Sequence, residues 1–344
     1  MANFSASNLV KAQAILNNNF NNPELRQQPA PILALGRRNN DIMMPSHSML
    51  RTREDRPIEA YIIKRNKRST TGSKRMFNHE GTLGDSHPVD ILFTSFVDKF
   101  RFSLKWLDNN MYDPDAVLAN QFSQCFQNMR NDIETFLRDF LVVEKTQVNE
   151  ATRNGKWNDT NFAFEISTSP DKGLFFEDAK SMMRQNSYAG MYDVIADAKL
   201  FRDAAFYANQ GAANATNLAF QFSGMNILES TTLIDSEYPN GIALFLPANS
   251  FGVLDWIPRQ NRQGNGDYNS YVGGYGTMTD PVSGLTMAVH GYSARANTSA
   301  SNGNEQDVII EFEVSIDVSP NLAPISNTDE TVVFEVAQVE QEEE

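Results

Sequence analysis

Residues 113–141, DPDAVLANQFSQCFQNMRNDIETFLRDFL, decide how the rest of the chain is organised. Their apolar side chains recur at spacings of three and four, which is the pattern of an amphipathic helix. Asp113 can serve as the N-cap, and Pro114 takes the favoured first helical position. The apolar positions are Leu118, Phe122, Cys125, Phe126, Met129, Ile133, Phe136, Leu137, Phe140 and Leu141. We predict one continuous helix from residue 114 to about 147, roughly 50 Å long, which is a strut rather than one member of a compact bundle.

A strict alternation of apolar and polar side chains marks residues 307–318. A period of two is typical of a strand with one buried face. The apolar members are Ile310, Phe312, Val314, Ile316 and Val318. Val333, Phe334 and Val336 indicate one more strand. Because the helix and the 307–318 strand each have one apolar face to bury, we predict that the helix packs on a sheet containing this strand.

The segment between these two elements mixes helix and strand signals. Residues 162–166 indicate a strand, 241–247 a short buried strand, and 285–290 another apolar run. A second helix is predicted from side chains spaced by three and four and is closed by Gly211. Its apolar positions are Tyr188, Met191, Ile195, Ala198, Phe201 and Ala205. The pattern as a whole indicates an α+β fold.

Residues 1–50 cannot bury an apolar face by themselves. A short helical pattern at Leu9, Ala12, Ile15 and Leu16 breaks at residues 17–22. Four prolines follow, at Pro23, Pro29, Pro31 and Pro45. We predict an extended N-terminal arm that lies along another part of the fold or another subunit, or else stays disordered.

Two runs after this arm have strand patterns. The first covers residues 57–65, and the second, KFRFSLKW at 99–106, alternates so that its aromatic side chains share one face and its basic side chains the other. The two runs could pair as a long hairpin with a basic, mobile tip between residues 64 and 88.

Charge is sorted by position along the chain. Residues 1–105 carry sixteen Lys and Arg against nine Asp and Glu, whereas residues 106–344 carry thirteen against thirty-four. The basic extreme, at residues 51–75, holds Arg51, Arg53, Arg56, Lys64, Arg65, Lys67, Arg68, Lys74 and Arg75. Because opposite charges attract, the basic N-terminal part of one copy can lie on the acidic C-terminal part of another copy. We therefore predict that these nine residues form a subunit interface. The alternative is that both blocks simply face water.

The sequence offers no catalytic or metal-binding motif. Cys125, the single cysteine, lies on the apolar face of the long helix and is interpreted as a small buried hydrophobe. The four histidines are scattered, and three of them lie in the polar front segment, where exposure is the default: His47, His79, His87 and His290. The glycines of residues 271–276 (YVGGYG) match no nucleotide-binding spacing and indicate a surface loop. Asp197 and Asp203 are interpreted as solvated. We therefore expect no catalytic site, no metal and no cofactor, and we do not expect an enzyme.

The start of the sequence, MANFSASNLVKAQAILNNNF, has no basic segment followed by an apolar core, and no run is long enough for a membrane span. We expect a protein made and used in the cytoplasm, without a membrane partner. Its overall acidity argues against sequence-specific nucleic-acid binding and leaves only non-specific contact through residues 51–75.

The order of these elements resembles the major capsid proteins of tailed bacteriophages, which have the Hong Kong 97-like fold. The runs SYAGMYDVIAD at 187–197 and NQGAAN at 209–214 are also similar to such proteins. The resemblance implies an N-terminal arm (1–50), an extended loop (51–112), a peripheral domain with its spine helix (113–185), an axial domain (186–295) and C-terminal strands that return to the peripheral domain before an acidic tail (296–344).

The resemblance implies a function in assembly. The chain would form hexamers and pentamers of an icosahedral shell around phage DNA, assembled in the host cytoplasm with separate scaffold, portal and decoration proteins. DNA would be contacted only non-specifically. Two alternatives stay open: another virion or tail component or an encapsulin-like cellular shell protein, and an unrecognised enzyme.

Overall fold

A computed structural model describes fourteen stretches of the chain. They are residues 6–20, 30–44, 46–63, 86–103, 106–107, 113–146, 156–167, 174–186, 188, 190–212, 224–268, 272–297, 306–323 and 333–339. The helices in these stretches are α1 (Ala6–Phe20), α2 (Pro31–Met43), α3 (His47–Arg51), α4 (Pro114–Val143), α5 (Leu174–Gln185), α6 (Ala198–Ala212) and α7 (Arg259–Gln263). The strands are β1 (Glu59–Ile63), β2 (Ser86–Asp90), β3 (Thr94–Ser103), β4 (Lys156–Asn158), β5 (Ala163–Ser167), β6 (Tyr192–Ala196), β7 (Met225–Glu229), β8 (Ile242–Pro247), β9 (Phe251–Trp256), β10 (Gly274–Thr279), β11 (Thr286–Asn297), β12 (Gln306–Leu322) and β13 (Phe334–Val339).

The long helix predicted from the sequence is confirmed as one continuous element of 30 residues, α4. The Asp113 side chain accepts a hydrogen bond of 3.2 Å from the Asp115 backbone N–H, so the predicted N-cap is present. The ring of Phe122 lies 5.0 Å from that of Phe100 and 5.6 Å from that of Phe312. The helix therefore packs on the sheet that contains β12, as predicted.

Five antiparallel strands form the sheet beneath α4. Their order is β10-β11-β12-β3, and β9 pairs with the C-terminal part of β12. The predicted strand at 307–318 is confirmed within β12, which is 17 residues long and pairs with three neighbours. Within the described residues β3 pairs with β12 alone, so its other edge is open.

A second, mixed sheet of six strands has the order β4-β5-β13-β8-β6-β7. Its β13 lies between β5, to which it is parallel, and β8, to which it is antiparallel. Helices α5 and α6 pack on this sheet and share with it a separate apolar cluster that includes Phe175, Met183 and Phe245. The predicted strands at 162–166, 241–247 and 333–336 are confirmed as β5, β8 and β13.

The helix predicted from Tyr188 onward is wrong in its first half. Residues 192–196 form β6, which lies between β7 and β8, and the helix α6 begins only at Ala198. All five residues of β6 are buried and, apart from Asp193, apolar, so its side chains match a helical spacing by coincidence. The preceding helix, α5, was not predicted.

The extended arm predicted for residues 1–50 is wrong for residues 31–43, which form α2. Pro31 takes the first position of the helix, and Ile32 and Leu33 are fully buried. The backbone N–H groups of Ile32 and Leu33 donate to the carboxylate of Glu134 on α4, at 2.9 and 3.1 Å. Leu9 of α1 also joins the main core. Residues 6–20 and 31–43 therefore lie along their own fold.

The predicted pairing of residues 57–65 with residues 99–106 is also wrong. β1 pairs with β2, over Glu59 to Ile63 and Ser86 to Asp90, and the two strands form a sheet of their own. Residues 99–103 belong to β3, which pairs with β12 because Phe100 finds apolar partners there and on α4. The basic tip predicted at 64–88 lies outside the described residues up to residue 85.

Candidate assembly surface

Three of the nine basic residues predicted at a subunit interface lie in the described part of the chain: Arg51, Arg53 and Arg56. Arg51 forms an ion pair with Asp255 of β9, whose side chain is almost fully buried. The other six, Lys64, Arg65, Lys67, Arg68, Lys74 and Arg75, lie outside the described residues. For Arg51 the structure therefore supplies an acidic partner within the same chain.

Arg56 is held in the same way by the five-stranded sheet. Its guanidinium lies 2.8 Å and 2.9 Å from the two carboxylate oxygens of Asp317 on β12. It also donates to the Ser95 hydroxyl at 3.0 Å and lies 5.9 Å from the ring centroid of Trp256. Residues paired in this way are less available to a neighbouring subunit, although half of the Arg56 side chain remains exposed.

The backbone between these two arginines is fixed as well. Arg262 of α7 donates to the carbonyl oxygens of Arg51 and Arg53, and the Trp256 indole N–H donates to the Arg53 carbonyl at 3.3 Å. Arg259 forms an ion pair with Glu54. The segment that leads into β1 is thus attached to the sheet through its main chain and not only through its charges.

A groove of about 300 Å³ lies between the open edge strand β3 and helix α4. Its apolar side is formed by Phe96, Val97 and Met129. Its polar side is formed by two carboxylates and two amides, Asp98, Asp132, Asn128 and Asn131. None of the described side chains that line the groove is basic, so the groove is acidic and amphipathic.

Asp98 is the central acidic residue of this groove. Its carboxylate accepts a hydrogen bond of 2.8 Å from the Lys99 backbone N–H and one of 3.4 Å from the Asn128 amide. Burial, and to a lesser degree the neighbouring Asp98, raise the pKa of the Cys125 thiol well above its ordinary value. Cys125 is buried, as predicted, and this shift keeps it a protonated, unreactive thiol.

Sequence reasoning missed this groove, although β3 contains a signal for it. Phe96, Asp98 and Phe100 occupy alternate positions and therefore share the face that packs on α4. An acidic residue between two aromatic residues on an apolar face is unusual, because a buried carboxylate must find donors or water. That pattern marks Asp98, but the sequence contains no sign that residues 128–132 lie opposite.

The histidines do not assemble into a site in the described part of the chain, where no group of three or more His, Cys, Asp and Glu side chains is placed to hold a metal ion. The expectation of an exposed His47 is wrong, since only 7% of it is accessible and its Nε2 lies 3.0 Å from the Asn40 amide nitrogen. Asn40 in turn exchanges two hydrogen bonds with the Val253 backbone. His290 stacks on Tyr275 with the ring centroids 4.6 Å apart.

The glycines at 271–276 have a packing role rather than a ligand role. Gly274 and Gly276 belong to β10, where a side chain at residue 276 would collide with the Tyr268 hydroxyl and one at residue 274 would press tightly on the Tyr268 ring. Gly273 has φ +89°, which favours glycine. The surface loop predicted here is therefore wrong from residue 274 onward, where the chain enters the five-stranded sheet.

No helix in the described part of the chain is both long and apolar enough to cross a membrane.

No family model matches the sequence, and no curated protein matches it. Several solved structures are similar to this chain. One of Mycobacterium phage Adephagia has 10% identity and a TM-score of 0.44, with 93% of each chain covered. The capsid structure of cyanophage P-SCSP1u has 12% identity and a TM-score of 0.43, covering 85% of this chain and 86% of that one. The capsid of an empty GTA particle has 11% identity and a TM-score of 0.41, covering 96% and 99%.

Proposed function

We propose that this protein is the major capsid protein of a tailed double-stranded DNA phage and assembles into the icosahedral shell around its genome. The observation that carries the proposal is the arrangement around α4. This 30-residue helix lies along a sheet built on a 17-residue strand, while the basic segment at 64–75 joins two strands, β1 and β2, that belong to neither large sheet. A long helix on a long strand, with a separate hairpin that leads into a basic segment, suits contacts between many copies.

The two sheets suggest where the proposed subdomains meet. The five-stranded sheet and α4 would form the peripheral domain, and the six-stranded sheet with α5 and α6 would form the axial domain. These limits differ from those that the resemblance implies, because residues 186–295 supply strands to both sheets, as do residues 296–344. We keep the Hong Kong 97-like fold as the proposed topology, with its extended loop at the hairpin of β1 and β2.

The charge distribution supports an assembly in which unlike surfaces meet. Residues 64–75 hold six basic residues and no acidic one, whereas residues 296–344 hold twelve acidic and no basic residues. Arg51 and Arg56 already have acidic partners in their own chain. We therefore assign the contact with a neighbouring subunit to the six basic residues at 64–75.

Negative-stain microscopy of the expressed protein tests this function directly. Closed shells, sheets or rings of five and six subunits would support it. Tubes would favour a tail component, and a small monomer would favour the enzyme alternative. Shells from cells without phage DNA or other phage proteins would show that self-association needs neither a separate phage scaffold nor phage DNA.

A further inference from the structure

Asparagine followed by glycine is a sequence at which a polypeptide can modify itself. The glycine nitrogen can attack the asparagine side-chain amide, because a residue without a Cβ atom leaves the approach open. Four such pairs occur in this sequence, beginning at Asn154, Asn240, Asn265 and Asn302. The structure describes the second and the third of them, and their glycine nitrogens differ in hydrogen bonding.

The pair Asn265–Gly266 lies in the exposed segment between α7 and β10. Gly266 forms an isolated antiparallel bridge with Gly274. The hydrogen bond of this bridge runs from the Tyr275 N–H to the Asn265 carbonyl oxygen at 2.7 Å, so the bridge uses the residues beside Gly266 and not its own N–H. Among the described residues, neither the Gly266 N–H nor the Asn265 side-chain amide has a hydrogen-bond partner. Both reacting groups therefore belong to exposed residues and are not held by a competing bond.

The pair Asn240–Gly241 is protected by comparison. The Gly241 N–H donates to the Tyr238 carbonyl oxygen at 3.1 Å, and the Gly241 carbonyl oxygen accepts from the Gln338 N–H at 2.9 Å. A Cβ atom at residue 241 would lie 2.7 Å from Cγ of Leu200, so this backbone is packed closely against α6. The Gly241 nitrogen must give up its hydrogen bond before it can react. Asn240 is thus a control within the same chain.

We propose that Asn265–Gly266 is a site of spontaneous deamidation, at which the folded protein converts Asn265 to aspartate and isoaspartate with water as co-reactant. The Gly266 nitrogen bonds to Cγ of Asn265 and gives up its proton. The bond from Cγ to Nδ2 breaks, and the Nδ2 amide group takes a proton and leaves as ammonia. Water then opens the succinimide ring at one of its two carbonyl groups. One opening gives aspartate, and the other gives isoaspartate, in which the main chain runs through the former side-chain carbonyl.

Isoaspartate at this position should loosen the attachment of β10. The main chain lengthens by one atom, and the carbonyl group that accepts from Tyr275 becomes a free carboxylate. A Cβ atom at Gly266 would lie 2.5 Å from the Gly273 carbonyl oxygen, so the longer chain has no room to shift toward that strand. Tyr268, two residues further on, belongs to the main apolar core. The modification should therefore lower the stability of the protein as well as add a negative charge.

Peptide mapping by mass spectrometry of the intact protein aged at pH 8 tests the site. Asn265 should be converted about fivefold faster than Asn240, which is the factor that one retained backbone hydrogen bond supplies. The rate should rise with pH, because the attacking nitrogen must lose its proton. In urea, where neither glycine keeps its native bonds, the two pairs should react at similar rates. Equal rates in the folded protein, faster conversion of Asn240 or no conversion of Asn265 would overturn the proposal.

A second measurement compares the variants Asn265→Gln and Asn240→Gln before and after ageing. The Asn265 side chain is exposed and has no partner among the described residues, so its exchange should leave the fold intact. Ageing should lower the thermal unfolding temperature of the unchanged protein and of Asn240→Gln, and it should change Asn265→Gln less. An equal fall in all three proteins would show that conversion of Asn265 does not loosen β10. Neither measurement depends on shell formation, so the proposed function stands or falls separately.

Discussion

The Glu134 carboxylate on α4 accepts a hydrogen bond of 2.9 Å from the backbone N–H of Ile32, 102 residues earlier in the chain. Its second oxygen accepts from the Leu33 N–H at 3.1 Å, so one side chain satisfies two of the donors that begin α2. Glu134 is 3% exposed. Burial raises its pKa to about 7, against the opposing effect of the two backbone hydrogen bonds.

A pH-dependent loss of stability follows from this carboxylate. The pKa of Glu134 in the folded protein lies above the ordinary value of about 4.5. The stabilisation that this difference adds to the unfolding free energy is therefore complete below pH 4.5 and is lost as the pH rises through about 7. The full difference amounts to about 3 kcal/mol. The unfolding free energy measured in urea should fall less from pH 5 to pH 8 for Glu134→Gln than for the unchanged protein. Glu229→Gln, on an exposed position, should keep the original difference; an equal loss in all three proteins would contradict the assignment.

The aromatic contacts of α4 predict which of two substitutions lowers the unfolding free energy more. Phe122 is fully buried between Phe100 and Phe312, whereas Phe136 is only partly buried and touches Phe96 at its edge, at 5.5 Å. We expect Phe122→Ala to cost about 4 kcal/mol of unfolding free energy and Phe136→Ala about 3 kcal/mol or less. Denaturant unfolding monitored by circular dichroism measures both. The opposite order would mean that the helix packs on the sheet in another register.

Arg130 and Asp280 form a buried ion pair, and removing one residue should destabilise the protein more than removing the other. Arg130 donates to both carboxylate oxygens at 3.2 Å, and both side chains are at least 95% buried. Asp280 also accepts from the backbone of Val282 and from Ser283, so it keeps donors when the guanidinium is removed. Asp280→Ala leaves a buried cation and should cost about 3–5 kcal/mol. Arg130→Met should cost distinctly less in the same urea titration, and equal costs would contradict this reasoning.

Gly276 and Tyr268 should be coupled energetically. A methyl group at residue 276 would collide with the Tyr268 hydroxyl. Tyr268 is buried, and that burial raises its pKa to about 12. We expect Gly276→Ala to cost about 1–3 kcal/mol alone, from overpacking, and under about 1 kcal/mol when Tyr268→Phe has removed the hydroxyl. A double-mutant cycle of thermal unfolding checks this, and simple additivity would show that the collision is relieved in another way.

The basic segment should control the rate of assembly more than the survival of finished particles. Replacing Lys64, Arg65, Lys67 and Arg68 with Gln should slow assembly, as followed by light scattering, without altering the circular dichroism spectrum. High salt should slow the unchanged protein similarly, because at about 0.15 M charges are already screened beyond roughly 8 Å. Completed particles should survive the same buffers, since their apolar contacts are not screened. Particles that dissolve at moderate salt while the assembly rate stays constant would favour the alternative that the charges simply face water.

The elements predicted correctly are those whose information is local. α4 and β12 each contain a long, regular apolar pattern, and α4 also has its own N-cap at Asp113. α2 was missed because no local side chain caps it: its Ala30 N-cap makes no side-chain hydrogen bond, and the acceptor for its first N–H groups is Glu134. No window of the sequence around residue 31 contains that information.

The candidate groove could not be predicted from the sequence for a related reason. Asp98 could be recognised as an anomaly on an apolar strand face, but Asp132 resembles any exposed residue of an amphipathic helix. Only the packing of β3 on α4 brings the two carboxylates to one groove. Similarly, pairing of β1 with β2 rather than with residues 99–106 depends on β12, more than 200 residues away.

The position of β13 delays the completion of the six-stranded sheet during biosynthesis. This strand fills the gap between β5 and β8, and its Glu335 is paired with Ala163, 172 residues earlier. At a translation rate of about 5–20 residues per second, β5 waits on the order of ten seconds or more for its partner. Until residue 339 has left the ribosome, β5 and β8 keep unpaired edges. Nascent chains on one messenger are therefore exposed to misjoining with each other, and a chaperone that shields those edges during translation should raise the yield of soluble protein.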